Sequence, residues 1–370
     1  FPMWLKLNLE AAQPERKFEV VNCGGVSYAS YRLTPIMRET LAYEPDLYII
    51  YTGHNEFLEE RSYGRIRESP AIVHKVMNLR IAVLVRKLLF NEKHEEPSGV
   101  TNAALPVEVD ARLDYEEGLE SYERDPELRS GVIRHFEYNV EQMILLAEKS
   151  EVPLILVNPV SNLKDCYPFK SVFGRSVSEK QKTRLISIWE KADALDWDQS
   201  SRKISLLKET VEIDSSHAGL LYNLGKAYEH KGRFEEAKKW YIRAKDEDIC
   251  PLRILEPMHE ILFELSGKYD VPLIDMRSMI EKRTPDGIPG DEWLLDHVHP
   301  SIEGHQLIAD ALFKKIAKLN NIQTSENWRK ARDGLRRELM ESLSNVYFKR
   351  AEMRSRRLKE WSRGKIPEPK

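Results

Sequence analysis

The feature that most constrains the fold of this chain is a nearly continuous apolar run from Val152 to Pro159. A strand that is apolar at almost every position is buried on both faces, which is typical of a parallel sheet covered by helices. Similar short runs occur at 47–52 and 271–275, each preceded by a segment with apolar residues at helical spacing. This alternation of helix and strand predicts an α/β fold with a parallel sheet.

Shorter signals predict the other elements of the sheet domain. Residues 18–22 are predicted to form a strand that runs into a turn at Gly24 and Gly25. Apolar spacing predicts helices at 3–12, 30–43, 131–149, 254–268 and 276–283, and another helix after Ile302.

Composition excludes several classes of protein. The 370 residues carry a net charge of −3 with 41% hydrophobic and 32% charged residues, so nothing argues for a nucleic-acid partner. Cys23, Cys166 and Cys250 are widely spaced and form no CxxC pair. We therefore expect neither a disulfide framework nor a zinc site, and we expect no metal ion and no cofactor.

Two polar motifs follow predicted strands. In Asp296-His297-Val298-His299-Pro300 the carboxylate can fix the tautomer of His299, which leaves the other ring nitrogen to face a nucleophile. Asn55 follows the apolar run 47–52 and can donate its side-chain amide to a developing oxyanion. The alternatives are a purely structural Asp296–His299 turn, and a cap at Asn55 for a helix that begins near Glu56.

Three segments at predicted strand ends together resemble the SGNH (GDSL-type) hydrolases. They are Val21-Asn22-Cys23-Gly24-Gly25-Val26-Ser27, Tyr51-Thr52-Gly53-His54-Asn55-Glu56 and Asp296-His297-Val298-His299-Pro300, which resemble the second, third and fifth blocks of that family. The resemblance covers roughly residues 1–182 and 250–320. It implies a flavodoxin-like parallel sheet between helices, with a serine ester-hydrolase or acyl-transfer site at the carboxyl ends of the strands.

The resemblance also implies a role for each matching residue. His299 is the general base for the serine, Asp296 orients His299, and Asn55 donates to the oxyanion. A backbone N–H of the second block is the other oxyanion donor. Counted from Asn22, this donor falls at Ser27, and a shifted alignment would place it at Gly25 instead.

The first block of the family, which carries the nucleophilic serine, has no match. Residues 1–20 contain no serine, and the opening Phe1-Pro2-Met3-Trp4-Leu5 resembles sequence from inside a domain. We therefore expect a fragment, inactive by itself, whose lost N-terminal part carried the nucleophile. Ser27 is not expected to replace that serine, because residues 25–29 lack the second glycine of a nucleophile elbow.

Residues 183–250 have a different character, with charged helices rich in Leu, Ala and Tyr. Residues 221–244 resemble one tetratricopeptide repeat, with Gly225 and Ala237 where two helices approach and Gly232 in the turn. A generic helical hairpin is the alternative. The predicted organisation is a hydrolase-like domain at 1–182 and 251–322, a helical insertion at 183–250 and a charged helical tail at 323–370.

Three further segments complete the sequence prediction. Residues 71–90 are apolar and basic, which predicts a core-packing helix, with a helix on a membrane surface as the alternative. Residues 91–128 are acidic and contain prolines, which indicates an excursion from the core. Residues 363–370 are predicted to fray.

These patterns favour a serine esterase or acyltransferase that acts through an acyl-enzyme on a small-molecule or carbohydrate ester. The competing hypothesis is an inert hydrolase-like scaffold whose helical repeats bind a protein partner. The sequence leaves open the ester, the choice between hydrolysis and transfer, the oligomeric state and the compartment. An exported or periplasmic location is compatible with it.

Overall fold

A computed structural model describes residues 1–59, 109, 111–114 and 118–362. Within these ranges the strands are β1 (Tyr48–Tyr51), β2 (Leu154–Asn158) and β3 (Leu273–Asp275). The helices are α1 (Pro2–Ala12), α2 (Ser30–Thr40), α3 (Pro126–Lys149), α4 (Glu179–Asp193), α5 (Ser200–Ile213), α6 (Ala218–His230), α7 (Phe234–Asp246), α8 (Glu256–Tyr269), α9 (Met276–Glu281), α10 (Ile302–Leu319), α11 (Trp328–Ser342) and α12 (Asn345–Ser362).

The strands form a parallel sheet in the order β1-β2-β3. Tyr48 pairs with Leu154 at one end of the β1–β2 ladder, and Asn158 pairs with Asp275 at the end of the β2–β3 ladder. The mixed α/β class and the parallel sheet predicted from the apolar runs are therefore confirmed.

Strand β2 divides the core into two layers, because successive side chains of a strand point to opposite faces. Leu154 and Leu156 join a cluster with Phe136 of α3 and Met258 of α8. Helix α2 supplies Met37 to the same cluster. This face of the sheet is thus covered by α2, α3 and α8.

The opposite face of β2 carries Ile155 and Val157, which belong to a second cluster. Leu5 of α1 and Leu312 of α10 pack in this cluster, together with Met276 of α9. Every residue of β2 is buried, as the continuous apolar run predicts for a central strand. Helices on both faces make a three-layer arrangement.

Helices α4 to α7 form their own cluster around Leu224, Tyr228 and Tyr241. A Cβ atom on Gly225 would lie 2.8 Å from the ring of Tyr241, so the predicted close approach of α6 and α7 requires glycine there. Helix α4 begins at Glu179, ahead of the boundary predicted at 183, because Ser178 and Gln181 form a capping box.

The charged tail predicted from residue 323 is helical over α11 and α12. Trp328 stacks near Phe313 of α10 with ring centroids 4.8 Å apart. Arg336 donates to Asp310 at 2.6 Å and to Asn8 at 2.9 Å, which ties α11 to α10 and α1. Helix α11 therefore packs on the sheet domain through one face.

Two sequence predictions were wrong in detail, and one alternative is excluded. Residues 18–22 form no strand, because they pair with no other strand among the described residues. Val21 in this segment is 66% exposed. Helix α3 starts at Pro126, not at 131, because the Asp125 carboxylate accepts from the Leu128 N–H and caps it. The described residues 56–59 are not helical, so the alternative in which Asn55 caps a helix that begins near Glu56 is excluded.

Several predicted segments lie outside the described residues. They are residues 71–90, most of 91–128, and 363–370. The core helix, the membrane-surface helix, the acidic excursion and the frayed end therefore stay predictions.

Candidate functional site

The Asp296–His299 turn holds a carboxylate–imidazole pair. Nδ1 of His299 lies 2.7 Å from Oδ2 of Asp296, while Oδ1 of Asp296 accepts from the backbone N–H groups of Val298 and His299 at 2.8 Å each. The side chain of Asp296 is only 3% exposed, whereas that of His299 is 66% exposed. The carboxylate is thus fixed inside the turn, and the imidazole edge with Nε2 faces solvent.

The local backbone explains why this turn is rigid. Leu294 and Pro300 form an antiparallel bridge, and the N–H of Leu295 donates to the carbonyl of His299 at 2.8 Å. Ser301 then caps α10 by accepting from the N–H of Gly304 at 3.2 Å. The Asp296–His299 pair therefore lies in a hydrogen-bonded turn just before the N-terminus of α10.

The electrostatics of the pair favour a charged carboxylate. Burial opposes the charge of Asp296, but the hydrogen bond from His299 and the charges of His297 and His299 outweigh burial and lower the pKa of Asp296 below its ordinary value of 3.8. The same hydrogen bond raises the pKa of His299 above 6.5, although burial opposes it. A base with a raised pKa and a fixed Nδ1 partner suits proton abstraction at Nε2.

Neighbouring side chains hold the turn against the end of β2. The N–H of Asn162 donates to the carbonyl of His297 at 2.9 Å, and the Asn162 amide donates to the carbonyl of Asp296 at 3.3 Å. The carbonyl of Asn162 accepts in turn from the buried guanidinium of Arg253 at 2.9 Å. Phe169 packs edge-on against His297, with ring centroids 5.1 Å apart. The turn is thus anchored to the loop after β2 and to the start of α8.

His54 and Asn55 lie immediately after β1. Gly53 has a φ of +131°, and a Cβ atom there would meet Ile254 at 2.6 Å, so only glycine fits. Nδ1 of His54 accepts from the N–H of Ile254 at 3.2 Å, which leaves the proton on Nε2. Burial, followed by the charges of His297 and His299, lowers the pKa of His54 to about 3. His54 is therefore a neutral imidazole within electrostatic range of the Asp296–His299 turn.

The Asn55 amide has one hydrogen engaged. Nδ2 of Asn55 donates to the carbonyl of Tyr28 at 3.1 Å. Because an amide group has two hydrogens, the second can serve another acceptor. This contact joins the loop after β1 to the residue that follows Ser27.

Ser27 has a φ of +62°, in the left-handed region that usually holds glycine. Gly25 has no positive φ, and a Cβ atom there would run into the ring of Tyr28 at 2.3 Å. Ser27 therefore adopts a backbone conformation that non-glycine residues rarely take.

A buried carboxylate ties these two loops together. Glu56 accepts from both the N–H and the hydroxyl of Ser30 at 2.8 Å each, and the Ser30 hydroxyl also accepts from Asn139 at 3.1 Å. Burial raises the pKa of Glu56 to about 7, although the bonds from Ser30 oppose this. The segment that carries Ser27 is thereby fixed to the turn that carries Asn55.

The contacts form a continuous path from Asn55 to Asp296. It passes from His54 to Ile254 and Arg253, then to Asn162 and the Asp296–His299 turn. The Ser27 loop joins this path through Tyr28. Hydrogen bonds and adjacent residues thus link the loop after β1 to the loop after β2 and to the Asp296–His299 turn.

No family model, curated protein or solved structure matches this chain. Within the described ranges, no three His, Cys, Asp or Glu side chains are grouped so that they could hold a metal ion. No helix in the same ranges has the length and apolar character that crossing a bilayer requires.

Sequence reasoning overlooked the residues that support the site. No sequence prediction names Asn162, although Asn158-Pro159-Val160-Ser161-Asn162 is a polar segment at the end of a predicted strand. No local sequence pattern predicts the contacts of Arg253, Ser30 and Glu56, because each residue binds a partner far along the chain.

Proposed function

We propose that this protein is a serine ester hydrolase or acyltransferase of the SGNH type, with a flavodoxin-like sheet. The observation that carries the proposal is the buried Asp296 carboxylate bonded at 2.7 Å to Nδ1 of the exposed His299. The neighbouring Asn55 loop, joined to this turn through His54 and Arg253, supports the same assignment.

In the proposed reaction, Nε2 of His299 removes the proton from a serine hydroxyl as the serine oxygen attacks the ester carbonyl. The carbonyl oxygen gains negative charge and accepts hydrogen bonds from the second hydrogen of Asn55 and from the backbone N–H of Ser27. His299 then returns the proton to the leaving alkoxide, and the alcohol departs. Water or an acceptor hydroxyl releases the acyl group by the same steps.

We propose that the nucleophilic serine lies outside the residues that the structure describes. Among the described residues, no serine hydroxyl is hydrogen-bonded to the ring of His299. The exposure of this ring leaves room for a hydroxyl supplied from elsewhere.

The test is hydrolysis of p-nitrophenyl acetate by the protein expressed with its upstream coding sequence. His299→Ala should lower kcat by about 10³-fold or more, because the base is lost. His230→Ala is the matched control, since His230 stacks on Trp197 in the helical segment. Equal turnover by wild type and His299→Ala would overturn the assignment.

The second candidate is an inert hydrolase-like scaffold whose tetratricopeptide-like helices bind a protein partner. The same observation, that no serine hydroxyl among the described residues is hydrogen-bonded to His299, favours this candidate. An upstream sequence without a Gly-x-Ser turn after a Val/Ile-rich strand would support the scaffold and exclude the esterase.

A further inference from the structure

An open cavity of about 780 Å³ lies between the helical segment and the loop after β2, and no residue of the Asp296–His299 turn lines it. Its walls include Tyr167 and Phe173 from that loop, Trp189 from α4 and His217 at the start of α6. This volume falls in the range of small-molecule sites, which are mostly lined by apolar and aromatic side chains.

The aromatic rings in this cavity are clustered. The ring of Phe173 lies 4.9 Å from that of His217, and Trp189 lies 6.0 Å from His217 on another side. Burial lowers the pKa of His217, so its ring is neutral at pH 7. Neutral aromatic rings present negative faces, which attract a cation within about 6 Å of the ring centroid.

Charged groups at the cavity have one sign. Glu190 and Asp193 line it, are exposed, and make no ion pair with any described residue. No lysine or arginine is among its described lining residues. Lys182, just outside, lies 5.9 Å from the Phe173 ring and pairs with Glu179 at 2.6 Å. A ligand that enters therefore meets aromatic rings and two carboxylates that make no ion pair with a described residue.

We infer that this cavity binds an organic cation, that is, an alkylammonium or quaternary ammonium group. The rings supply cation–π attraction and the carboxylates of Glu190 and Asp193 supply the opposite charge. The cation can belong to a free small molecule or to a basic side chain of a peptide. The inference does not depend on esterase activity, because none of the residues that carry it belongs to the Asp296–His299 turn.

The test is calorimetric titration of the purified chain with benzyltrimethylammonium and with its neutral isostere neopentylbenzene. The cation should bind about tenfold more tightly than the neutral compound. A second pair, Nα-acetyl-trimethyllysine amide and Nα-acetyl-norleucine amide, represents the peptide source. Tighter binding of the trimethyllysine amide than of benzyltrimethylammonium identifies a peptide ligand. Tighter binding of benzyltrimethylammonium identifies a free small-molecule cation.

Two sets of variants locate the binding. Glu190→Gln with Asp193→Asn should weaken cation binding about three- to tenfold, and both sites are exposed, so folding should not change. Glu212→Gln with Asp198→Asn removes the same charge from exposed positions elsewhere in the helical segment and should leave affinity unchanged. Equal affinity for cation and isostere, or no loss of affinity in the first pair of variants, would overturn the inference.

Discussion

Two buried carboxylates near the carboxyl ends of parallel strands behave in opposite ways. Asp296 and Glu56 are 5% and 3% exposed. Asp296 faces two histidines and two backbone N–H groups, and its pKa falls. Among the described residues Glu56 accepts hydrogen bonds from Ser30 alone, and its pKa rises to about 7. Both carboxylates are buried, so their hydrogen-bond partners and neighbouring charges decide whether the pKa falls or rises. The charged group is suited to orient a base, and the other acts as a structural link between loops.

Exchanging the carboxylate for an amide at each position gives the largest expected contrast. In the protein expressed with its upstream coding sequence, Asp296→Asn should lower kcat about 10³- to 10⁴-fold, because the amide favours the wrong tautomer of His299. Glu56→Gln should lower kcat only a few-fold, since Gln still accepts from Ser30. Turnover of p-nitrophenyl acetate measures both. A comparable loss in the two variants would remove the distinction between them.

The raised pKa of Glu56 predicts a pH-dependent stability. In the folded protein Glu56 keeps its proton up to a pH of about 7, whereas in the unfolded chain it releases the proton above its ordinary pKa of 4.5. The contribution of Glu56 to the free energy of unfolding therefore falls as pH rises from about 4.5 to about 7, and it stays level above that. The change is on the order of 3 kcal/mol. Urea unfolding at pH 5 and pH 8 should show it as a difference between wild type and Glu56→Gln. If both proteins respond identically to pH, Glu56 is not protonated in the fold.

The smallest effect is expected at Ser27, where the proposed donor belongs to the backbone. Ser27→Gly should stabilise the protein by up to about 1 kcal/mol, because glycine adopts a φ of +62° without strain. Its kcat should stay within about twofold of wild type, since the N–H is retained. Gly25→Ala is the contrasting variant, because its Cβ would meet the Tyr28 ring. A large loss of activity in Ser27→Gly would show that the Ser27 hydroxyl, and not its backbone N–H, is the group that contributes to catalysis.

The difference between the two carboxylates also shows what could be predicted from sequence. Asp296 and His299 are three residues apart, so their pairing was visible as a local pattern. Glu56 and Ser30 are separated by 26 residues, and their contact depends on how two loops pack. The central strand was predictable because burial on both faces leaves an unbroken apolar run.

The strand predicted at 18–22 failed for a related reason. Alternating residues such as Phe18 and Val20 pack partly against the core, which reproduces the strand pattern. A strand also needs a neighbour to accept its backbone hydrogen bonds, and that requirement leaves no trace in the segment itself.

The central claim is that Asp296 orients His299 and raises the basicity of its exposed nitrogen. It is tested most directly by following the ¹H–¹⁵N NMR signals of His299 against pH in wild type and in Asp296→Asn. The pKa of His299 should lie above 6.5 in wild type and should be lower in Asp296→Asn. The His54 ring should stay neutral over the pH range in which His299 titrates. A His299 pKa at or below 6.5 that does not change in Asp296→Asn would contradict it.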